Sequence, residues 1–145
     1  TTAAEYTATA EDNRLWIKSY SSPNDLLLVA VHEDQIVGNV DIAAGQFQRI
    51  SHTALCAMAF LKSWRNLGLG NFLIETAVDW AWRNEKLERL WLEVYSTNLA
   101  AIHLYKKNGF IEEGRQKAFF KISENNNRRL STGDNLCPFN LVMNR

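Results

Sequence analysis

Disulfide chemistry has little to work with in this chain, which carries two cysteines, Cys56 and Cys137. Neither stands in a Cys-x-x-Cys spacing or beside a histidine pattern, so metal-binding and redox motifs are excluded, and a reducing, cytoplasmic setting is the simplest fit. Net charge is missing as well. Sixteen basic residues cancel sixteen acidic ones, leaving no electrostatic footprint for nucleic acid or an anionic membrane; a local basic pocket for a phosphorylated ligand is compatible with that balance. No apolar run approaches the roughly 20 residues that cross a bilayer. The start Thr1-Thr2-Ala3-Ala4-Glu5 lacks the basic-then-apolar pattern of a signal peptide. The three histidines, His32, His52 and His103, are far apart and fall in different predicted elements, which argues against a metal site or a Ser-His-Asp arrangement. An initiator methionine is absent too, so the chain reads as a trimmed fragment.

What is present is the makeup of one ordinary soluble domain. With 145 residues, 46% hydrophobic and 22% charged, the chain is long enough to bury a core without a disulfide or a structural metal. It has no internal repeat and no long linker, and reads as a single domain over residues 1–145. Glu11-Asp12-Asn13 opens a predicted helix through Tyr20, with Leu15 and Trp16 on a narrow apolar side. Ser21-Ser22-Pro23-Asn24-Asp25 breaks it. Leu26–Val31 and Ile36–Ile42 read as a hairpin around the polar turn His32–Gln35. After a polar loop from Gly45 to His52, a third strand, Thr53–Phe60, completes a meander.

At Gly68 the apolar period changes from two to about 3.6 residues. Leu69, Phe72, Leu73, Thr76, Ala77, Trp80 and Ala81 recur at helical spacing, and this helix should end near Asn84. Leu87–Tyr95 follows as a strand that is apolar on both faces apart from Glu93. Strand, helix and strand form a βαβ unit, so Thr53–Phe60 and Leu87–Tyr95 are expected to run parallel. Asn98 is placed to N-cap a helix bearing Leu99, Ile102, Leu104 and Tyr105, with Gly109 at its C-terminal stop. Phe110-Ile111 starts a further strand that Arg115–Ile122 continues after a kink. Ser123–Arg129 reads as a loop and Leu136–Met143 as the closing strand, where Pro138 restricts its place in the sheet.

The plan centres on Ala57–Gly70. A strand feeding a glycine-bearing loop at a helix start is a phosphate-holding device, because the first N–H groups of a helix have no intrahelical acceptor and glycine admits a ligand to the backbone. The alternative is a glycine kept only for turning the chain.

Arg65-Asn66-Leu67-Gly68-Leu69-Gly70 matches Arg/Gln-x-x-Gly-x-Gly/Ala, the acetyl-coenzyme A motif of the GCN5-related N-acetyltransferases, or GNAT family. Glu93-Val94, Asn98, Ala101, Ile102, Tyr105 and Gly109-Phe110 resemble its second signature, Glu-Val followed by Asn-x-x-Ala, an aliphatic residue, x-x-Tyr-x-x-x-Gly-Phe. The likeness runs from about Leu26 to Phe120 and is nearest to bacterial ribosomal-protein alanine N-acetyltransferases and the small enzymes related to them. It implies an α/β (α+β) fold, a mixed central sheet of about six strands with a splayed parallel pair and flanking helices. It also implies direct transfer of an acetyl group from acetyl-CoA to a primary amine in a ternary complex, with no metal.

The likeness assigns roles that chemistry supports. The pyrophosphate of coenzyme A suits the N–H groups of Asn66, Leu67, Gly68, Leu69, Gly70 and Asn71 at the positive end of a helix dipole, and Arg65 adds charge. The pantetheine amides suit a strand edge at Met58, Ala59 and Phe60. That strand must then part from its parallel neighbour, as the family's strands do, often around a bulge. Glu93 beside the opening is implied as the general base, directly or through a water; the alternative is a strand glutamate reaching solvent or an arginine. Tyr105 corresponds to the tyrosine that reaches the cofactor sulfur and protonates the thiolate, with core packing as its alternative. A main-chain N–H near Phe60 faces the developing oxyanion. Asn98 is placed to bond the pantetheine, although capping alone explains it. Trp64 is placed to cover the cofactor, and Lys106-Lys107 is an exposed pair with the outer phosphate as its other partner. No acyl-enzyme is expected, because neither cysteine falls in the cleft-forming stretches, Cys56 being the nearer.

Two rivals remain: a domain that binds acetyl-CoA as a sensor or structural ligand, and a fold relative that holds another phosphorylated ligand. Two departures from the family bear on the acceptor. The 25 residues ahead of Leu26 leave little room for the family's first strand and helix, and Ser131–Pro138 does not follow the family's closing pattern. Both regions line the acceptor side, so the amine, whether of a protein N-terminus, an amino acid, a polyamine or a drug, is the part least legible, and a homodimer is left open.

Overall fold

In the computed structural model, which describes residues 9–116 and 138–145, the first half of the chain runs α1 (Ala10–Ser19), β1 (Leu26–His32), β2 (Gln35–Ala44), β3 (Thr53–Phe60) and α2 (Leu69–Arg83). It continues through β4 (Arg89–Tyr95), α3 (Leu99–Lys107), β5 (Ile111–Arg115) and β6 (Pro138–Asn144). The continuation of β5 past Gln116, the loop Ser123–Arg129, the ending Ser131–Cys137 and the first eight residues lie outside the described residues. The strands form one mixed sheet in the order β1-β2-β3-β4-β6-β5. All neighbours are antiparallel except β3 and β4, the parallel pair that the βαβ pattern predicts. Pro138 is the first residue of β6, the position within a strand where a missing N–H is tolerated.

The meander begins with a tight hairpin. Its turn residues Glu33 and Asp34 both take positive φ, 46° and 63°, which matches the twist of a two-residue hairpin turn and which a short polar side chain tolerates better than a branched one. Strand alternation then sorts the side chains. Val40, Ile42, Ala44, Ala54, Cys56, Leu90, Leu92 and Val94, all even-numbered, are buried in the core with α2 and α3. Leu55, Ala57, Ala59, Glu93 and Tyr95, all odd-numbered, are exposed on the opposite face. Leu87, expected as the first residue of β4, instead lies ahead of it, fully buried.

The buried stripe of α2 differs from the expected one. Leu73, Ile74, Ala77 and Ala81 are buried, whereas Phe72 is 65% exposed and Thr76 is exposed. Leu73, Ala77 and Ala81 belong to both sets, and a rotation of the helix by less than one residue step of about 100° exchanges Phe72 and Thr76 for Ile74. The sheet surface decides between them. In α3 Tyr105 is buried and Leu99 is exposed, while Asn98 caps the helix by accepting the Ala101 N–H at 3.2 Å and Gly109 ends it at φ 94°.

Held differently is α1. Thr9 and Asp12 close a reciprocal capping box at its start, yet none of its residues is buried, and Leu15 is 57% exposed. Its tie to the sheet is the Tyr20 hydroxyl, which donates to Asp41 Oδ2 at 2.7 Å, with the Trp16 ring edge-on to Tyr20 at 5.1 Å. Burying Leu73 and Ile74 contributes about 1.5–3 kcal/mol each to α2, against about 1 kcal/mol for a single hydrogen bond. Native-state hydrogen exchange should therefore show the α1 amides opening at low denaturant and those of α2 opening only with global unfolding; equal protection of both helices would contradict this.

Candidate active site

Hydrogen-bond parity places the site. On β3, odd-numbered peptide groups face β2, as shown by Gly45 N–H donating to Thr53 O and Leu61 N–H donating to Val37 O, both at 2.9 Å. Even-numbered groups therefore face β4. His52 O does so, accepting from the N–H groups of Glu88 and Arg89. The parallel ladder is short: Thr53, Ala54 and Leu55 pair with Arg89, Leu90 and Trp91, and no pairing follows. Beyond Leu55 the two strands part, so the main-chain groups of Cys56, Met58 and Phe60 border an opening. Those of Ala59 are turned to β2 instead. The strands part without a bulge of their own; the register shifts in the sheet lie in β1, between Ala30 and Val31, and in β5, between Glu112 and Gly114.

Past Phe60 the chain runs into a row of unused donors. Gly68, at φ 84°, is the N-cap of α2 and supplies no side-chain cap, and Asn66 is also left-handed at φ 62°. Among the described residues no acceptor is found for the N–H groups of Asn66, Leu67, Gly68, Leu69, Gly70 and Asn71. Alternation of left- and right-handed φ turns successive N–H groups toward one point, and the helix dipole adds partial positive charge there. Arg65 is exposed beside them. The two motif glycines serve different ends. A Cβ at Gly68 would have open space and only its positive φ requires glycine; at Gly70 a Cβ would lie 3.1 Å from Leu104 Cδ2 and 3.3 Å from Phe60 Cζ. Gly70 thus lets α2 start close against β3 and α3. The Asn71 side chain bridges those helices, donating to Glu75 at 2.7 Å and accepting from Asn108 at 3.1 Å.

Glu93 and Tyr105 lie on opposite faces of the sheet. Glu93 is exposed on the odd face, where Gln116 Nε2 donates to its Oε1 at 3.1 Å and to Asn140 Oδ1 at 3.5 Å. Tyr105 comes from the helical face and is 7% exposed, its ring edge-on to Phe110 at 5.7 Å. Among the described residues its hydroxyl has no hydrogen-bond partner. Burial, with smaller contributions from Cys56 and Asp41, lifts the phenol above its ordinary value of 10.0, so its proton is retained at neutral pH. Cys56 stands at the first position of the opening, nearer the cleft than the strand pattern suggested, with its side chain 2% exposed. Burial and the Asp41 charge push its thiol up to about 12.

Other predicted residues sit apart. Asn98 is exposed and occupied as a cap. Trp64 packs its ring 4.8 Å from that of His32, His103 is exposed, and Lys106 pairs with Glu112 at 3.6 Å. Motif reading passed over three side chains that the fold brings into pairs, Gln116 with Glu93 and Tyr20 with Asp41. The only signal for Asp41 was a carboxylate inside an apolar strand. Among the described residues no group of three or more His, Cys, Asp or Glu side chains gathers to hold a metal, and no helix is long and apolar enough to cross a membrane.

A parallel pair that opens beside a glycine-bearing helix start is the arrangement the motifs imply. The sequence model of the acetyltransferase (GNAT) family matches residues 2–110, and the chain belongs to that family. It is 32% identical over 92 residues to the L-amino acid N-acetyltransferase AaaT of Escherichia coli K12, a match that covers 63% of this chain and 57% of that protein. The chain thus spans a little over half the length of the curated relatives it matches. The crystal structure of a GNAT-family acetyltransferase from Streptococcus pneumoniae superposes with a TM-score of 0.83 at 32% identity, covering 96% of this chain and 79% of that one. The fold is shared also with yncA, a putative acetyltransferase from Salmonella typhimurium solved with its cofactor acetyl-CoA, at TM-score 0.81 and 18% identity, over 99% of this chain and 79% of that one.

A thiol held near pH 12 is almost wholly protonated at neutral pH and is a poor nucleophile. Iodoacetamide at pH 7.5 should leave the Cys56 peptide unmodified in the folded protein and label it after denaturation, as read by mass spectrometry. Rapid labelling of the folded form would refute the buried, protonated state.

Proposed function

We propose that this single domain is an acetyl-CoA-dependent N-acetyltransferase that acetylates a primary amine by direct transfer in a ternary complex. One observation carries the reading: the edge of β3 freed from β4 is followed, after the short turn Leu61–Arg65, by six successive N–H groups that have no acceptor among the described residues. A long ligand with amides at one end and phosphates at the other matches that sequence of donors and acceptors. The main-chain groups of Met58 and Phe60, with Ala59 between them, would hold the pantetheine arm, while Asn98 is taken up by capping α3. Asn66 to Asn71, with Arg65, would hold the pyrophosphate. When bound, acetyl-CoA supplies an acyl carbon activated by a thioester and a thiolate leaving group.

The chain's own residues divide the proton work. The amine nitrogen bonds to the acyl carbon as the carbon–sulfur bond breaks. Of the two protons that the ammonium nitrogen gives up, one passes to Glu93, directly or through a water, and on to solvent. The other is balanced at sulfur, which Tyr105 protonates before it is itself reprotonated. The Phe60 N–H faces the oxyanion. Base and acid stand on opposite faces of the sheet, so neither quenches the other, and Tyr105 holds its proton until a strongly basic thiolate appears.

Calorimetry with acetyl-CoA should show one site per chain, and Gly70→Val should weaken binding at least about tenfold, because its methyls meet Phe60 and Leu104 where a ligand needs the helix start. Glu93→Gln and Tyr105→Phe should each lower kcat about 10²–10⁴-fold while acetyl-CoA affinity stays within a factor of about two. Turnover unchanged in both variants would sink these roles. An acetyl-CoA sensor would bind the ligand yet acetylate no member of an amine panel.

A further inference from the structure

The sheet face that carries Glu93 also carries an acid that the mechanism does not use. Asp41 stands on β2 opposite Ala57 of β3 and is 8% exposed. Carried forward, the register that pairs Ala54 with Leu90 brings Ala57 level with Glu93, so Asp41, Ala57 and Glu93 lie in one row across three strands. Two strand spacings set the ends of that row about 10 Å apart, and the parting of β3 from β4 adds to this. The floor between them is low, since Ala57 and Ala59 are exposed residues with one-carbon side chains.

Both ends of the row have acceptor capacity to spare. Asp41 Oδ2 accepts from the Tyr20 hydroxyl at 2.7 Å and Oδ1 from the Asn39 amide at 3.3 Å. These donors are neutral, and among the described residues no cation pairs with Asp41. A carboxylate offers about four acceptor positions, so two are unfilled. A buried acid without a cation is costly to keep ionised, and burial does hold the Asp41 carboxyl above its ordinary range. At the other end, Gln116 donates to Glu93 while its own Oε1 is buried and, among the described residues, accepts no hydrogen bond.

We propose that this row is the acceptor subsite and that it selects an amine carrying a second ammonium group, the reacting nitrogen resting at Glu93 and Gln116 and the second nitrogen at Asp41. The inference rests on the acetyltransferase reading and names its substrate class. Charge-assisted hydrogen bonds of about 2.8 Å at each end leave about 4–5 Å between the two nitrogens before the parting of β3 from β4 is added, so a diamine of three or four carbons spans the row. Only the nitrogen at Glu93 is acetylated; the one at Asp41 keeps its proton and its charge.

The test uses the full chain with acetyl-CoA and two matched acceptors, 1,4-diaminobutane and butylamine, reading kcat/KM from thiol release and acetyl-CoA affinity by calorimetry. The diamine should be favoured about tenfold or more, the weight of one charge-assisted hydrogen bond. Asp41→Asn should reduce that preference to within about twofold with acetyl-CoA affinity unchanged. Ala57→Lys, at an exposed position where folding is not at stake, sets a tethered ammonium in the row and should impair the diamine about tenfold more than butylamine. Equal use of the two amines by the unaltered protein, or a preference that survives in both variants, overturns the subsite. Binding of acetyl-CoA without acetylation of either amine overturns it while leaving the cofactor site in place, whereas failure to bind acetyl-CoA overturns both readings.

Discussion

Much of this structure depends on the early end of the β3–β4 ladder. Peptide groups deprived of a partner inside a sheet cost free energy unless water or a ligand serves them. After Leu55 the even-numbered groups of β3 face toward β4 but no longer pair with it. The functional elements are arranged about that gap. β3 supplies a free edge, α2 follows it after a short turn, Tyr105 lies on the helical side and Glu93 on the other.

The gap is not frayed structure. β3 is paired to β2 from Ala54 through Phe60, and β4 is paired to β6 along its whole length, so each wall belongs to its own antiparallel ribbon. Phe60 marks where the wall meets the helix start, and two glycines make room for its ring. A Cβ at Gly38 would stand 2.6 Å from Phe60 Cδ1, and one at Gly70 would stand 3.3 Å from Phe60 Cζ. Glycine in the cradle is therefore a packing requirement at position 70 and a backbone requirement at position 68, where φ is 84°.

Features legible beforehand are those whose physical cause is local. The Thr53–Phe60 strand, the cap at Asn98, the stop at Gly109 and the cradle over Asn66–Asn71 each follow from neighbours within a few residues. Signals of that kind failed on helix faces. Phe72 was as good a core candidate as Ile74, and Leu15 on α1 read as the inner side of a helix, yet Phe72 and Leu15 face outward. Periodicity shows that a stripe exists; only the surface it meets selects among equivalent rotations.

By itself the sequence determined the order of elements, the parallel sense of β3 and β4, and the glycine-bearing start of α2, because spacing, capping and glycine conformation act over a few bonds. Tertiary structure alone decided which peptide groups lack partners and which side chains meet. Tyr20 with Asp41, Gln116 with Glu93 and Asn108 with Asn71 are joined across 21, 23 and 37 residues of chain. No local propensity encodes such pairs. They arise where the sheet register and helix packing bring distant positions within hydrogen-bond reach, and it is this register that sets Asp41 in line with Glu93.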